Sequence, residues 1–198
     1  MPSRPASAGD PSLDRIATVP NLISLIRILS IPVFVILLQR RQTEVVGLVV
    51  LVLVLSTDWV DGRIARRTGQ VTNVGKTLDP VADRLALASA LVALTVRGIF
   101  PLWATLVVVL RDALLLASGA VLLLLWGVRL EVRRSGKIAT FALMAGVPLI
   151  AWGEFDRFLA GPALAVGWPV FLAGLAIYLF TTMRYVRDAR QAVRDRSV

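Results

Sequence analysis

Six apolar stretches, separated by short charged turns, make up most of the chain. They run over residues 20–38, 43–64, 77–97, 101–127, 137–153 and 163–186. Each is close to the ~20 residues that a helix needs to cross a ~30 Å hydrocarbon core. In lipid a spanning segment must satisfy its own backbone polar groups, which an α-helix does within one segment. The expected fold is therefore an all-α membrane protein with six transmembrane helices. Composition agrees: 57% of the 198 residues are hydrophobic and the mean hydropathy is +0.75.

The Pro/Ser/Gly-rich opening "MPSRPASAGDPS" (residues 1–12) reads as a disordered tail. "LDRIATVPNLI" reads as a short interfacial helix leading into the first span. The first apolar run is too long for a cleavable signal peptide and lacks a small-residue cleavage site. Residues 13–188 form a single domain in this reading, and 189–198 form a cytoplasmic tail.

Lysines and arginines set the orientation. Arg63, Arg66, Arg67 and Lys76 lie between spans two and three. Arg129, Arg133, Arg134 and Lys137 lie between four and five; Arg184 ends span six, and Arg187, Arg190, Arg194 and Arg196 follow it. The opposite loops hold only Arg40, Arg41, Arg97 and Arg157. Both termini, and the turn between spans two and three, should face the cytoplasm. The net charge of +9 sits in these short clusters without interleaved aromatics. It points to anionic lipid headgroups or a polyanionic substrate and away from nucleic acid.

The turn between spans two and three reads "DWVDGRIARRTGQVTNVGKTLDPVAD" over residues 58–83. Asp58, Asp61, Gly62 and Ala65 stand at i, i+3, i+4 and i+7, one face of a helix. Asp79 and Asp83 are an i, i+4 pair, with Gly75 one turn earlier. If spans two and three form a hairpin, four carboxylates converge, and a divalent cation or two would relieve their repulsion. Gly62, Ala65 and Gly75 would leave room for something bulky to lie flat against the helices, and Arg66 could pair with a phosphate. The chain has no cysteine and no histidine. Disulfides, thiolate or imidazole metal sites and histidine acid–base chemistry are thereby excluded, and any metal must be a hard cation on oxygen ligands. Single acidic residues at helix ends are usually caps. Four at two matched spacings, with small residues in phase, read as functional.

The same stretch matches D-x2-D-G-x2-A-R-x8-G-x3-D-x3-D at every defined position and so resembles the CDP-alcohol phosphatidyltransferase family. "TVPNLISLIRILSIPVFV" is similar to that family's first span. The resemblance implies that Asp58, Asp61, Asp79 and Asp83 hold two divalent ions, Mg²⁺ or Mn²⁺. It implies that Asp61, Gly62, Ala65, Arg66, Gly75 and Asp79 bind the CDP moiety, that Asp83 is the catalytic base, and that the protein is a homodimer. The substrates implied are CDP-diacylglycerol and a polar or lipid alcohol, with CMP released at the cytoplasmic face of the membrane.

"RSGKIATFALMAG" at the start of span five resembles the G-K-x-K-T stretch of phosphatidylglycerophosphate synthases, with Ala139 in the second lysine's place. It looks more like the actinobacterial branch that includes cardiolipin synthases. Glycerol-type acceptors therefore rank first, with phosphatidylglycerol ahead of glycerol phosphate and inositol phosphate third. Arg27, Arg111, Lys137 and Arg184 are the candidate acceptor-binding cations. For Arg27 the competing reading is snorkelling to headgroups, and for Arg111 it is an internal ion pair with neighbouring helices. A cation transporter is the alternative from another class, although transporters usually place such carboxylates at the bilayer midplane on broken helices.

Overall fold

The computed structural model describes residues 19–68, 75–126, 134–156 and 158–194, all of them helix or short connection. Six helices appear in that range: α1 (Val19–Gln39), α2 (Glu44–Thr68), α3 (Gly75–Val96), α4 (Leu102–Trp126), α5 (Arg134–Glu154) and α6 (Ala160–Arg194). Each coincides with one apolar stretch, because a long apolar run without internal turn chemistry has no competing backbone solution in lipid. The 1–12 tail and residues 13–18 of the expected interfacial helix lie outside the described residues. The remainder of that helix, from Val19, is the first turn of α1. α6 overruns its apolar stretch and continues through "RYVRDARQAVR" to Arg194, so most of the expected tail extends the same helix.

Among the described residues, three helices are long and apolar enough to cross a membrane, over Leu102–Gly119, Gly136–Glu154 and Ala160–Tyr185. Ser24–Gln39 and Glu44–Ser56 are shorter apolar helices. Large apolar side chains point outward along the helices, among them Leu29, Leu114, Phe141 and Phe180. Apolar surface of this extent fits a lipid environment.

The chain divides into two compact units, one ending at Ala90 and the other beginning at Leu91. In the first, α1 and α2 form a tight helical hairpin. The turn is closed by the Thr43 hydroxyl, which donates to the Leu37 carbonyl at 2.8 Å. Gly47 is required here, since a Cβ would lie 2.7 Å from the Leu38 nitrogen. The hairpin buries Phe34 and Leu38 from α1 and Leu48, Leu51 and Val54 from α2.

In the second unit α5 and α6 pack antiparallel along their length, and α4 touches α6. The pairing steps down α6 as it steps up α5: Ala142 faces Gly174, Gly146 faces Phe171, Ile150 faces Gly167 and Gly153 faces Leu164. Within lipid there is no hydrophobic drive between helices, so close backbone approach at small residues supplies the attraction. At Gly146 a Cβ would lie 2.9 Å from both the Phe171 nitrogen and its Cβ. Gly146→Val should therefore destabilise the protein by about 1–3 kcal/mol through overpacking. Gly119→Val is the control, since nothing lies within 4 Å of a Cβ at Gly119. Thermal unfolding in detergent measures both; equal losses would refute the packing argument. At one end of this unit Phe100, Trp168 and Phe171 form an aromatic cluster with centroids 5.1–6.0 Å apart. Gly98, at φ 75°, ends α3 with the Ile99 amide donating to the Leu94 carbonyl at 2.9 Å. That is the left-handed cap for which glycine carries no steric penalty.

Candidate functional site

The aspartate motif lies on two helices. Asp58, Asp61, Gly62, Ala65 and Arg66 belong to the C-terminal part of α2, and Gly75, Asp79 and Asp83 to the N-terminal part of α3. Helical backbone at both places preserves the expected i, i+3, i+4, i+7 and i, i+4 spacings. The side chains of Asp58, Asp61, Gly62, Ala65, Arg66, Gly75 and Asp79 lie outside the described residues.

Asp83 is described, and it does not stand alone. Arg27 of α1 donates from Nη1 to Asp83 Oδ1, forming an ion pair between residues 56 apart in the chain. Arg27 is 2% exposed and Ser24, one turn earlier, is fully buried. The Asp83 side chain keeps 17% of its surface accessible. Two residues that the sequence singled out for different tasks, the candidate base and a candidate acceptor ligand, are thus brought into direct contact. An arginine two turns into an apolar helix is costly unless paired, and a carboxylate is the strongest partner available to it.

The second unit contains a separate buried polar cluster. Arg111 and Asp112 of α4 are each 6% exposed. Arg111 Nη1 donates to Asp112 Oδ1 at 3.0 Å, and its Nε donates to the Thr182 hydroxyl at 2.6 Å. Its guanidinium lies over the Tyr178 ring, 3.7 Å from the centroid, and the Tyr178 hydroxyl donates to Asp112. The internal ion-pair reading of Arg111 is the one this geometry realises, with α6 supplying the neighbouring groups. Tyr178 and Thr182 were not singled out from the sequence. The signal was available as two polar residues at i, i+4 on an apolar helix, opposite a span carrying an Arg–Asp pair.

Lys137, in the first turn of α5, is exposed. Arg184 is exposed as well, with its guanidinium 5.3 Å from the Phe180 ring centroid. Ala139 is fully buried, and its carbonyl would lie 3.3 Å from a Cβ on Gly174 of α6. A lysine could not replace it without disturbing the α5–α6 contact. The alanine in place of the second lysine thus has a packing consequence as well as a charge consequence.

The donor set of the motif suits a hard divalent cation: four carboxylates, in a chain with neither histidine nor cysteine to draw a softer metal.

Comparison with known proteins gives the same answer as the motif. The chain is 38% identical over 186 residues to a cardiolipin synthase (CMP-forming) of Streptomyces coelicolor, an alignment covering 91% of this chain and 86% of that protein. It is 33% identical over 184 residues to a CDP-diacylglycerol–glycerol-3-phosphate 3-phosphatidyltransferase of Pseudomonas fluorescens, covering 86% of this chain and 89% of that protein. A Bacillus subtilis protein of the latter name is 33% identical over 145 residues, covering 65% of this chain and 74% of its own length. The family model for CDP-alcohol phosphatidyltransferases matches residues 17–181, which takes in the whole aspartate motif, the Arg27–Asp83 pair and, of the Arg111 cluster, Arg111, Asp112 and Tyr178. With the motif complete on α2 and α3 and the match running from α1 into α6, this chain belongs to the CDP-alcohol phosphatidyltransferase family.

Proposed function

We propose that this protein is a membrane enzyme of phospholipid synthesis that transfers the phosphatidyl group of CDP-diacylglycerol to a glycerol-type alcohol and releases CMP. The observation that carries this reading is the unbroken eight-residue array on α2 and α3. In the reaction an acceptor hydroxyl forms a new P–O bond to the lipid-side phosphorus, the bond to CMP breaks, and the hydroxyl proton passes to the Asp83 carboxylate. Asp61, Gly62, Ala65, Arg66, Gly75 and Asp79 hold the CDP moiety. The small residues let the nucleotide lie close to the helices, and Arg66 pairs with the pyrophosphate. Asp58, Asp61, Asp79 and Asp83 would hold Mg²⁺ or Mn²⁺, in two sites. Bound there, the ions neutralise charge developing on the phosphoryl oxygens.

The six helices are six spans in this reading, preceded by an interfacial segment, with both termini and the aspartates at the cytoplasmic face. That placement suits a donor with acyl chains in lipid and a nucleotide in water. The enzyme works as a homodimer. Phosphatidylglycerol is the preferred acceptor, giving cardiolipin, with glycerol phosphate second. The cardiolipin synthase relative aligned over 91% of the chain, and the buried Ala139 at the second lysine's position, support that order. Lys137 and Arg184, both exposed cations of the second unit, are the groups proposed for the acceptor phosphate. Arg111 is already engaged by Asp112 and Thr182, and supports them by tying α4 to α6.

The test offers phosphatidylglycerol, glycerol 3-phosphate and inositol phosphate together with CDP-diacylglycerol and Mg²⁺ to the purified protein, and identifies products by mass spectrometry. Cardiolipin should dominate, with CMP formed one for one. Inositol phosphate as the sole acceptor consumed would overturn the glycerol assignment. Ion flux without alcohol-dependent CMP release would overturn the reaction class.

A further inference from the structure

The geometry points to Arg27 as the positioning residue of the base: its guanidinium aims and charge-matches the Asp83 carboxylate, and it is not a ligand of the acceptor phosphate. This rests on the proposed reaction, in which Asp83 takes the acceptor's proton. Three observations carry it. The Arg27 side chain is 1% exposed, so its charge is not displayed to an incoming substrate, whereas Asp83 keeps 17% of its surface accessible. The pair joins α1 to α3 across 56 residues, which makes the orientation of Asp83 a property of the α1–α3 contact as well as of its own helix. The partner group is also suited to the task. A guanidinium presents its donors in a rigid planar fork, so it can hold a carboxylate oxygen in one direction. A base acts only within hydrogen-bond reach of the proton it removes. A carboxylate held from one side and accessible from another meets that requirement, and a misplacement of ~1 Å costs about 10²-fold in rate.

Arg27→Gln and Arg27→Lys, made in the full-length protein in detergent, separate this role from its rivals. Steady-state kinetics with CDP-diacylglycerol and phosphatidylglycerol, or glycerol 3-phosphate if that is the one consumed, are combined with direct CDP-diacylglycerol binding and thermal unfolding. The expected result for Arg27→Gln is a fall in kcat of about 10²-fold with the KM of both substrates nearly unchanged. Arg27→Lys, which keeps the charge and loses the fork, should recover part of the rate. In an Asp83→Asn background, Arg27→Gln should cost nothing further in rate, because the group it positions is already gone. A raised acceptor KM with kcat preserved would make Arg27 an acceptor ligand and overturn the proposal. Parallel losses of CDP-diacylglycerol binding and thermal stability, with no rescue by lysine, would reduce Arg27 to a structural pair and also overturn it. No alcohol-dependent CMP release from the unsubstituted protein would overturn the reaction itself. Turnover by that protein with either wrong pattern in the variants would overturn only the role of Arg27.

Discussion

Asp83→Asn should leave a folded protein that still binds CDP-diacylglycerol but turns over about 10²–10⁴-fold more slowly, the range that a positioned general base contributes. The substitution is nearly isosteric. The asparagine carbonyl oxygen can still accept from Arg27 Nη1, so the contact between α1 and α3 survives in weaker form. The neutral amide cannot take a proton from the acceptor hydroxyl. Asp83→Ala is the informative contrast, because it removes the proton acceptor and also the carboxylate to which the buried Arg27 donates. Breaking a buried ion pair by deleting one partner costs about 3–5 kcal/mol. The lower end applies here, since the aspartate side chain is 17% accessible. Asparagine and alanine should therefore be alike in rate and different in melting temperature. Kinetics, CDP-diacylglycerol binding and thermal unfolding on both variants check this. A normal rate in Asp83→Asn would remove the proposed base.

Exhaustive chelation should abolish activity, and Mg²⁺ or Mn²⁺ should restore it. Brought together as in the proposed site, four carboxylates within 26 residues would repel one another unless cations intervene. With no histidine or cysteine available, hard ions are the ones that suit the site. The effect should be visible without turnover. An ion that binds only the folded state at ~100 times its Kd stabilises that state by about 2.7 kcal/mol. The melting temperature should therefore rise on adding Mg²⁺ to the chelated protein. Asp58→Asn and Asp61→Asn should blunt that rise and weaken CDP-diacylglycerol binding together, since Asp61 serves both in the proposed site. Full activity after complete metal removal would sink the metal assignment.

Hydropathy and spacing made the helices legible in advance. α2 and α3 begin and end within a few residues of their apolar stretches, and the motif lies on them as its spacing required. The exception is α6, which runs on to Arg194 because "RYVRDARQAVR" contains no glycine or proline to stop it. These are local properties: a segment of ~20 apolar residues commits to helix whatever its neighbours do.

What only the tertiary structure decided is which groups meet. From sequence, Arg27 was a cation in the first span with two competing readings. That it holds Asp83 depends on a side-chain contact from α1 to α3, which no window around either residue reveals. Arg111 needed partners, but the choice of Tyr178 and Thr182 follows from the α4–α6 contact and from the rotation of α6. The α5–α6 register came from four glycines that composition treats alike, until the backbones approach and each meets a particular neighbour. The physical reason is the same in each case. Apolar helices are interchangeable in what they offer lipid, so hydropathy states that a helix exists without stating which face is inward. Small residues and the few buried charges are specific in what they accept, and they decide the pairing.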